Sequence, residues 1–434
     1  MIKMKKILFI PIIFLTLFVS CRKDNIQPED NTLTPAMARD SLYYIMKEWY
    51  YWYKLMPTVT KENYADPYQL LEAMRYKTLD RWSFVADYDE FNAQMLGEFV
   101  GHGFRIGVDN SGNARIAMIY DRSPLYLEGV RRGWIVKKIN EVEIAPILIA
   151  NDANAYSSLI GPGTAGITNR FIFQNPDGDE VPIESTKESF QINSVLLYDT
   201  LHLSNGLAGH LVFESFIEPS QEDLATAFAF FSTNNVNDLI LDLRYNSGGY
   251  LYIAQILASY IAGNSYTGTL FAKLQYNDSH KDVNNSLSFI TTLYPLTLPR
   301  LVVITSRSTA SASEAVMNGL NPFIDVVSIG DTTNGKPTGM NGWNVGDKYI
   351  MWPITFKMVN KDDEGDYFEG IFPSKLVSDD ITHDFDDKDE LCLKEAIHYL
   401  ETGSVSTKGV TAFKRYPQFS EKPEWMNNVF IIEK

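Results

Sequence analysis

Three apolar runs in the second half of the chain each pass directly into a polar or glycine-bearing turn: Leu239-Ile240-Leu241-Asp242-Leu243, Leu301-Val302-Val303-Ile304-Thr305, and Val326 to Gly330. The first two turns lead into helical patterns, Tyr250 to Tyr260 and the stretch from Ser311, and the third into the loop Asp331 to Gly339. A further short strand, Leu211 to Phe213, and a helical stretch, Glu222 to Phe231, precede them. Runs this apolar suit strands covered on both faces, and their alternation with helices predicts a mostly parallel sheet. In such a sheet the loops leaving the carboxyl ends of the strands share one edge, where ligands bind. Gly248-Gly249, Ser311 and Lys336 fall on three of those loops.

Each of these residues has an ordinary reading when taken alone. Ser311 with Glu314 three residues on is a capping box. Two successive glycines make a tight strand-to-helix turn. A loop lysine is usually a solvated charge.

Together they resemble something specific. Asp242-Leu243-Arg244-Tyr245-Asn246-Ser247-Gly248-Gly249 and Thr309-Ala310-Ser311-Ala312-Ser313-Glu314 resemble the two signature motifs of the tail-specific (C-terminal-processing) peptidases, serine peptidase family S41, and Asn334-Gly335-Lys336 resembles the third. Lys336 follows Ser311 by 25 residues, an interval also familiar in that family. The resemblance extends over roughly residues 40 to 400, closing with Gly370-Ile371-Phe372-Pro373 and a helix near Leu391 to Leu400. It implies a multidomain α/β fold with a crotonase-like peptidase domain, Ser311 as nucleophile and Lys336 as its base.

The chemistry suits these residue types. A serine hydroxyl needs a base to become a nucleophile, and a neutral lysine can serve. With a reference pKa of about 10.4, the lysine must be lowered by a few units through desolvation in a closed cleft. The N–H of Ala312, at a helix N-terminus, is placed to receive an oxyanion, with a second donor from Gly248 or Gly249. The chain departs from the family pattern at two positions. Many members orient the lysine with a Gln four residues later, where this chain has Met340, and some carry an Asp eleven residues after the serine, where it has Pro322. Thr338 and Glu314 are the candidates for the supporting role, although capping explains Glu314 equally well. Rival sites lack their motifs: there is no Gly-x-Ser-x-Gly elbow and no His-Glu-x-x-His, and the six histidines have no triad context. No metal or cofactor is expected.

Between Gly97 and about Glu184 the pattern changes to short strands with glycine turns, such as Phe104 to Val108 and Ala114 to Ile119. The stretch Ser123 to Asn140 reads as a short helix, a glycine turn and a strand, and resembles part of a PDZ domain, with Trp134 where Asp usually follows the glycine. Such domains take an extended peptide C-terminus as an added strand. The carboxylate-receiving loop would be Gly101-His102-Gly103-Phe104-Arg105-Ile106, with Gly103, Phe104, Arg105 and Ile106 lining the peptide. His102 and Arg105 would ordinarily be a polar surface residue and a solvated charge.

The N-terminus carries Lys3, Lys5 and Lys6 before a 13-residue apolar run, Ile7 to Val19, too short to span a bilayer comfortably. Phe18-Val19-Ser20-Cys21 resembles a lipoprotein lipobox, which implies lipidation at Cys21 and a membrane-anchored protein of the bacterial cell envelope. The only other cysteine, Cys392, is expected to be buried as a small hydrophobe. The formal net charge of -16 argues against a nucleic-acid partner. The acidic run Asp379 to Glu390 lacks the spacing of an EF-hand loop and reads as a solvated connector.

At 434 residues several domains are required. The expected division is a signal peptide (1–20), a tether (21–33), a helical region (34–95), a PDZ-like domain (96–190), the peptidase domain (191–400) and a C-terminal extension (401–434). In the helical region Thr34-Pro35 begins a helix with Leu42, Ile45, Trp49 and Trp52 on one stripe. The leading functional expectation is an endopeptidase that selects polypeptides with an accessible C-terminus. The alternatives are a non-catalytic envelope lipoprotein binding peptides or apolar ligands on the same fold, and a scaffold using only the PDZ-like region. Oligomeric state is not legible.

Overall fold

The computed structural model describes residues 33–407, 415, 417–426 and 430–432. The expected leader, most of the expected tether and the expected lipidation site at Cys21 lie outside the described residues. Among the described residues no helix is long and apolar enough to cross a membrane.

The first helix, Pro35–Trp49, begins as its sequence requires, with Thr34 Oγ1 accepting from Met37 N at 3.2 Å and Pro35 at a position that needs no N–H. Its buried face is Ala38, Leu42 and Met46, an i, i+4 stripe, and not the stripe ending in Trp52. The helix stops before Trp52 because the chain turns to join a sheet: Tyr51 N–H donates to Ile354 O at 2.8 Å. After a second helix, Pro67–Met74, the strand Phe84–Asp87 pairs antiparallel with Tyr349–Trp352. The N-terminal region therefore has no core of its own. Leu42, Met46 and Trp82 share one apolar cluster with Phe213, Leu241 and Trp352.

Phe104–Val108, Ala114–Ile119, Ile135–Ile139, Thr168–Gln174 and Glu180–Thr186 form successive strands of a seven-stranded antiparallel sheet with a separate core that includes Ile106, Ile116, Val136 and Phe173. The helix, glycine turn and strand read from Ser123 to Asn140 are present, with Gly129 and Gly133 at φ 94° and 89° and the strand at Ile135–Ile139. The helix Ala153–Ile160 contributes Tyr156 and Ile160 to the same core.

The parallel sheet is the one the apolar runs required. Its order is Val195–Leu203, Gly206–Phe213, Asp238–Asp242, Arg300–Thr305, Asp325–Gly330 and Lys375–Leu376, and every pairing but the first is parallel. Alternate residues reach opposite cores. Leu239, Leu241, Leu301 and Val303 pack with the helices Ser220–Thr233, Leu251–Ala262 and Ala312–Leu320, while Ile240, Val302 and Ile304 meet Leu393, Ala396 and Leu400 of Leu391–Thr402. Covering both faces is why those runs are apolar throughout. A second six-stranded sheet has the order Gly249–Tyr250, Phe430–Ile432, Thr338–Asn341, Ile354–Val359, Leu270–Tyr276, Asn285–Ser288.

The acidic run is solvated in its middle, where Asp386 to Asp389 are exposed, but not at its ends. Arg244 is fully buried beside Asp242, and its remaining N–H groups are answered by Asp379 Oδ1 at 2.9 Å and Glu390 Oε1 at 2.7 Å. A buried guanidinium requires such counter-charges, so the two ends of the run are drawn inward. Arg132 adds a further contact to Asp379 at 3.2 Å. Cys392 is buried as expected, with Sγ 3.5 Å from Ser378 O.

Candidate active site

The three loops expected at one sheet edge are bonded to one another. Thr309 Oγ1 donates to Leu243 O at 2.8 Å, Ala310 N to Asn246 O at 3.1 Å and Asn334 N to Thr309 O at 2.8 Å. The Gly248, Ser311 and Lys336 loops thus form a single buried cluster.

Ser311 lies on the turn between the strand Arg300–Thr305 and the helix Ala312–Leu320, at φ 68°, ψ −116°. That is a strained conformation for a side-chain-bearing residue, worth about 1–3 kcal/mol. It projects the hydroxyl off a sharp strand-to-helix elbow. Ser311 occupies the capping-box position opposite Glu314, but only the carboxylate half of the box is made. Ser311 N–H donates to Glu314 Oε2 at 2.7 Å, whereas Ser311 Oγ, although buried, has no hydrogen-bond partner among the described residues. A buried hydroxyl left unbonded is costly for structure and available for chemistry.

Glu314 does more than cap. Its fully buried carboxylate accepts four hydrogen bonds: Ser311 N, Lys336 N at 2.9 Å, Gly335 N at 2.7 Å and Thr333 Oγ1 at 2.5 Å. Burial pushes its carboxyl above the usual value, and these donors oppose that push. The serine turn and the lysine loop are both fastened to this one side chain.

Lys336 is fully buried, and burial holds its ammonium well below the ordinary lysine value against the attraction of Asp80 and Glu314. Its Nζ lies 3.8 Å from Met340 Sδ and 5.9 Å from the centroid of the Trp82 ring. Met340, where many family members carry Gln, therefore presents a soft, weak acceptor. The loop around Lys336 is clamped from two directions. On one side Trp82 Nε1 donates to Asn334 Oδ1 at 3.2 Å and Arg81 to Asn334 O at 2.8 Å. On the other, Gly335, at φ 95°, passes so close to Phe368 that a Cβ would lie 2.3 Å from its carbonyl oxygen. Asp80 is itself held by Tyr50 Oη at 2.7 Å and Ser83 Oγ at 2.6 Å.

Of the expected oxyanion donors, Ala312 N–H stands first in its helix, among the N–H groups that have no intrahelical acceptor. Gly248 N–H is already donated to Asn246 Oδ1 at 2.9 Å. Gly249 adopts φ 137°, and a Cβ there would sit 2.1 Å from Phe216 O, so no other residue fits. Thr338 is buried with its Oγ1 unbonded among the described residues; its hydroxyl supports nothing there.

Phe104, Arg105 and Ile106 lie in the antiparallel sheet and Gly103 in the turn just before it, outside this cluster. Two expectations there are corrected. His102 is not a surface residue but is fully buried, its Nδ1 2.9 Å from Ser185 Oγ and its Nε2 2.7 Å from Asn169 Oδ1. Arg105 is not solvated; it is buried with its guanidinium 5.3 Å from the Tyr245 ring centroid. Sequence reasoning missed Asp80, Trp82, Thr333 and Asn246. For Asp80 the available signal was Asp80-Arg81-Trp82-Ser83, an Asx-type turn in which Asp80 Oδ1 accepts from Trp82 N and Ser83 N, each at 2.9 Å.

A buried serine on a strained elbow above a parallel sheet, sharing one carboxylate with a buried lysine, is the arrangement of a serine-type hydrolase. Residues 208–375 match the model of peptidase family S41 and residues 38–84 that of the peptidase S41 N-terminal domain. The chain thus carries two domains of peptidase family S41. It is 23% identical over 304 residues to the carboxy-terminal processing protease CtpB of Bacillus subtilis, covering 66% of this chain and 57% of that protein. It is 22% identical over 279 residues to the chloroplastic carboxyl-terminal-processing peptidase 1 of Arabidopsis thaliana, covering 62% and 54%. The matches thus span little more than half the length of these relatives. A crystal structure from Bacteroides fragilis named for the S41 proteases aligns with a TM-score of 0.69 at 25% identity, over 84% of this chain and 97% of that one.

Proposed function

We propose that this chain is a serine endopeptidase that selects polypeptides through their C-terminal region and cleaves them by way of an acyl-enzyme on Ser311. Neutral Lys336 takes the proton from Ser311 Oγ as the oxygen attacks the scissile carbonyl carbon. The oxyanion is received by the N–H groups of Ala312 and of the Gly248-Gly249 turn, with Gly249 favoured because Gly248 N–H is engaged by Asn246. On collapse the C–N bond breaks, and the Lys336 ammonium returns the proton to the leaving amine. Water then hydrolyses the ester with Lys336 as base again. The observation that carries this reading is the pairing of an unbonded Ser311 Oγ with a lysine whose charge burial disfavours, both loops held by Glu314.

In this reading residues 96–190 are a PDZ-like peptide-capturing domain, and the protein is anchored to the bacterial cell envelope by lipid at Cys21. The decisive experiment is cleavage of a peptide with an apolar C-terminus by the wild type, Ser311→Ala and Lys336→Ala. Both variants should lose at least about 10³-fold in kcat/KM. Unchanged activity in both would reject the mechanism.

A further inference from the structure

The loop expected to receive a peptide carboxylate already holds one. Glu421 Oε2 accepts from His102 N at 2.8 Å and Gly103 N at 3.0 Å. Its other oxygen lies 3.2 Å from Lys187 Nζ, and both side chains are 1% exposed. Gly101 makes room for the group, since a Cβ there would sit 2.9 Å from Glu421 Oε2. The two residues before Glu421 complete the picture of a bound peptide. Phe419–Ser420 adds as an antiparallel strand to the edge of Phe104–Val108, with Phe419 opposite Ile106 and Ser420 opposite Arg105. The Phe419 ring packs on Tyr156 of the helix Ala153–Ile160, at 5.1 Å between centroids. Strand addition, an apolar anchor and a carboxylate on consecutive backbone N–H groups are the three components of C-terminal peptide capture.

Residues 422–426 continue toward the Gly248-Gly249 turn. Lys422 pairs with buried Glu214, Trp425 stacks on Phe84 at 5.4 Å, and Met426 O accepts from Ser247 Oγ at 2.9 Å, next to the Gly248-Gly249 turn. Phe430–Ile432 then lies between Gly249–Tyr250 and Met340–Asn341, parallel to both. It fills the strand position between the glycine turn and the strand that follows Lys336. None of residues 419–432 falls within the two matched family domains.

We propose that residues 419–421 are a built-in pseudo-ligand, in which the Glu421 side chain stands in for the terminal carboxylate of a polypeptide, and that a polypeptide with an apolar residue and a free carboxylate at its C-terminus binds by displacing it. This rests on the reading of residues 96–190 as a peptide-capturing domain. A groove occupied in cis lowers apparent affinity by the fraction of time it is open.

The test measures, by fluorescence anisotropy in the full-length Ser311→Ala protein, binding of a fluorescein-labelled heptapeptide ending in leucine with a free carboxylate, and of the same peptide ending in a carboxamide. Glu421→Ala and Phe419→Ala, checked by thermal melting, should each tighten the free-carboxylate peptide by about tenfold or more, with no gain for the carboxamide. Equal affinities with and without the substitutions, or equal gains for both peptides, overturn the proposal. Should both substitutions impair folding, hydrogen exchange decides. Saturating free-carboxylate peptide should accelerate exchange across residues 417–426 of the Ser311→Ala protein, and an unchanged pattern overturns the proposal. Tighter binding in a Glu421→Ala enzyme that retains Ser311 yet never cleaves would reject the peptidase reading while leaving the pseudo-ligand intact.

Discussion

The backbone N–H groups of Ser311 and Lys336 donate to the same atom, Glu314 Oε2, at 2.7 and 2.9 Å. Two loops that leave different strands are thereby registered through a single oxygen, while the other oxygen of that carboxylate holds Thr333 and Gly335. Conventional capping cannot account for donors arriving from a loop more than twenty residues away.

Glu314→Gln tests this arrangement. An amide offers one oxygen, so whichever way it is turned, its NH2 faces at least one backbone N–H. The substitution should cost about 3 kcal/mol in urea denaturation, since each buried unsatisfied donor costs about 1–3 kcal/mol. A loss under about 0.5 kcal/mol would mean that the loops are held by other contacts.

Lys336→Met should stabilise the protein at neutral pH. In the unfolded chain the lysine titrates near 10.4, and burial lowers it in the folded state, so the unfolded state binds more protons between the two values. The penalty is fully present below the folded value and vanishes as pH rises through about 10.4. The variant should therefore gain about 1–3 kcal/mol at pH 7 and much less near pH 10.5, as read from urea unfolding at both.

Met340→Gln places a carbonyl acceptor where a thioether now lies 3.8 Å from Lys336 Nζ. An acceptor stabilises the ammonium over the amine, so the acid limb of the kcat/KM profile should move to higher pH by about 1 unit. An unmoved limb would show that the group titrating there is not Lys336.

Ser311→Gly should be more stable than Ser311→Ala by about 1 kcal/mol, because only glycine occupies φ 68°, ψ −116° without strain. Ordinarily glycine is the less stable of the two. The inverted order, measured by chemical denaturation, would establish that the elbow is strained.

Arg244→Met should destabilise by about 3–5 kcal/mol, since Asp242 and Glu390 would lose the cation that answers their buried carboxylates. A loss under about 1 kcal/mol, read from urea unfolding at pH 7, would overturn this.

Much of the parallel sheet could be read from the chain because its signals are local. Leu239 to Leu243 and Leu301 to Thr305 announce strands covered on both faces, and the turns after them place Gly249 and Ser311 on one edge. What could not be read depends on distant partners. Trp82 and Asp80 wall in Lys336 from about 250 residues away, and no periodicity encodes such a contact. Glu314 was ambiguous because capping and bridging use the same carboxylate. Asp379 and Glu390 looked solvated because acidic runs usually are, and only the burial of Arg244 draws them in. Glu421 belongs to a polar stretch whose partner, the loop His102-Gly103, lies more than 300 residues earlier.

The enclosure of Lys336 also governs when in its lifetime the molecule can act. An exposed lysine is a cation and no base, and the walls that make it one come from Trp82, from the Glu314 turn and from the chain at Phe368. A chain still being synthesised lacks at least one of them. A neutral lysine at this position is thus a property of the finished fold alone, and a partly built chain carries an ordinary cation there.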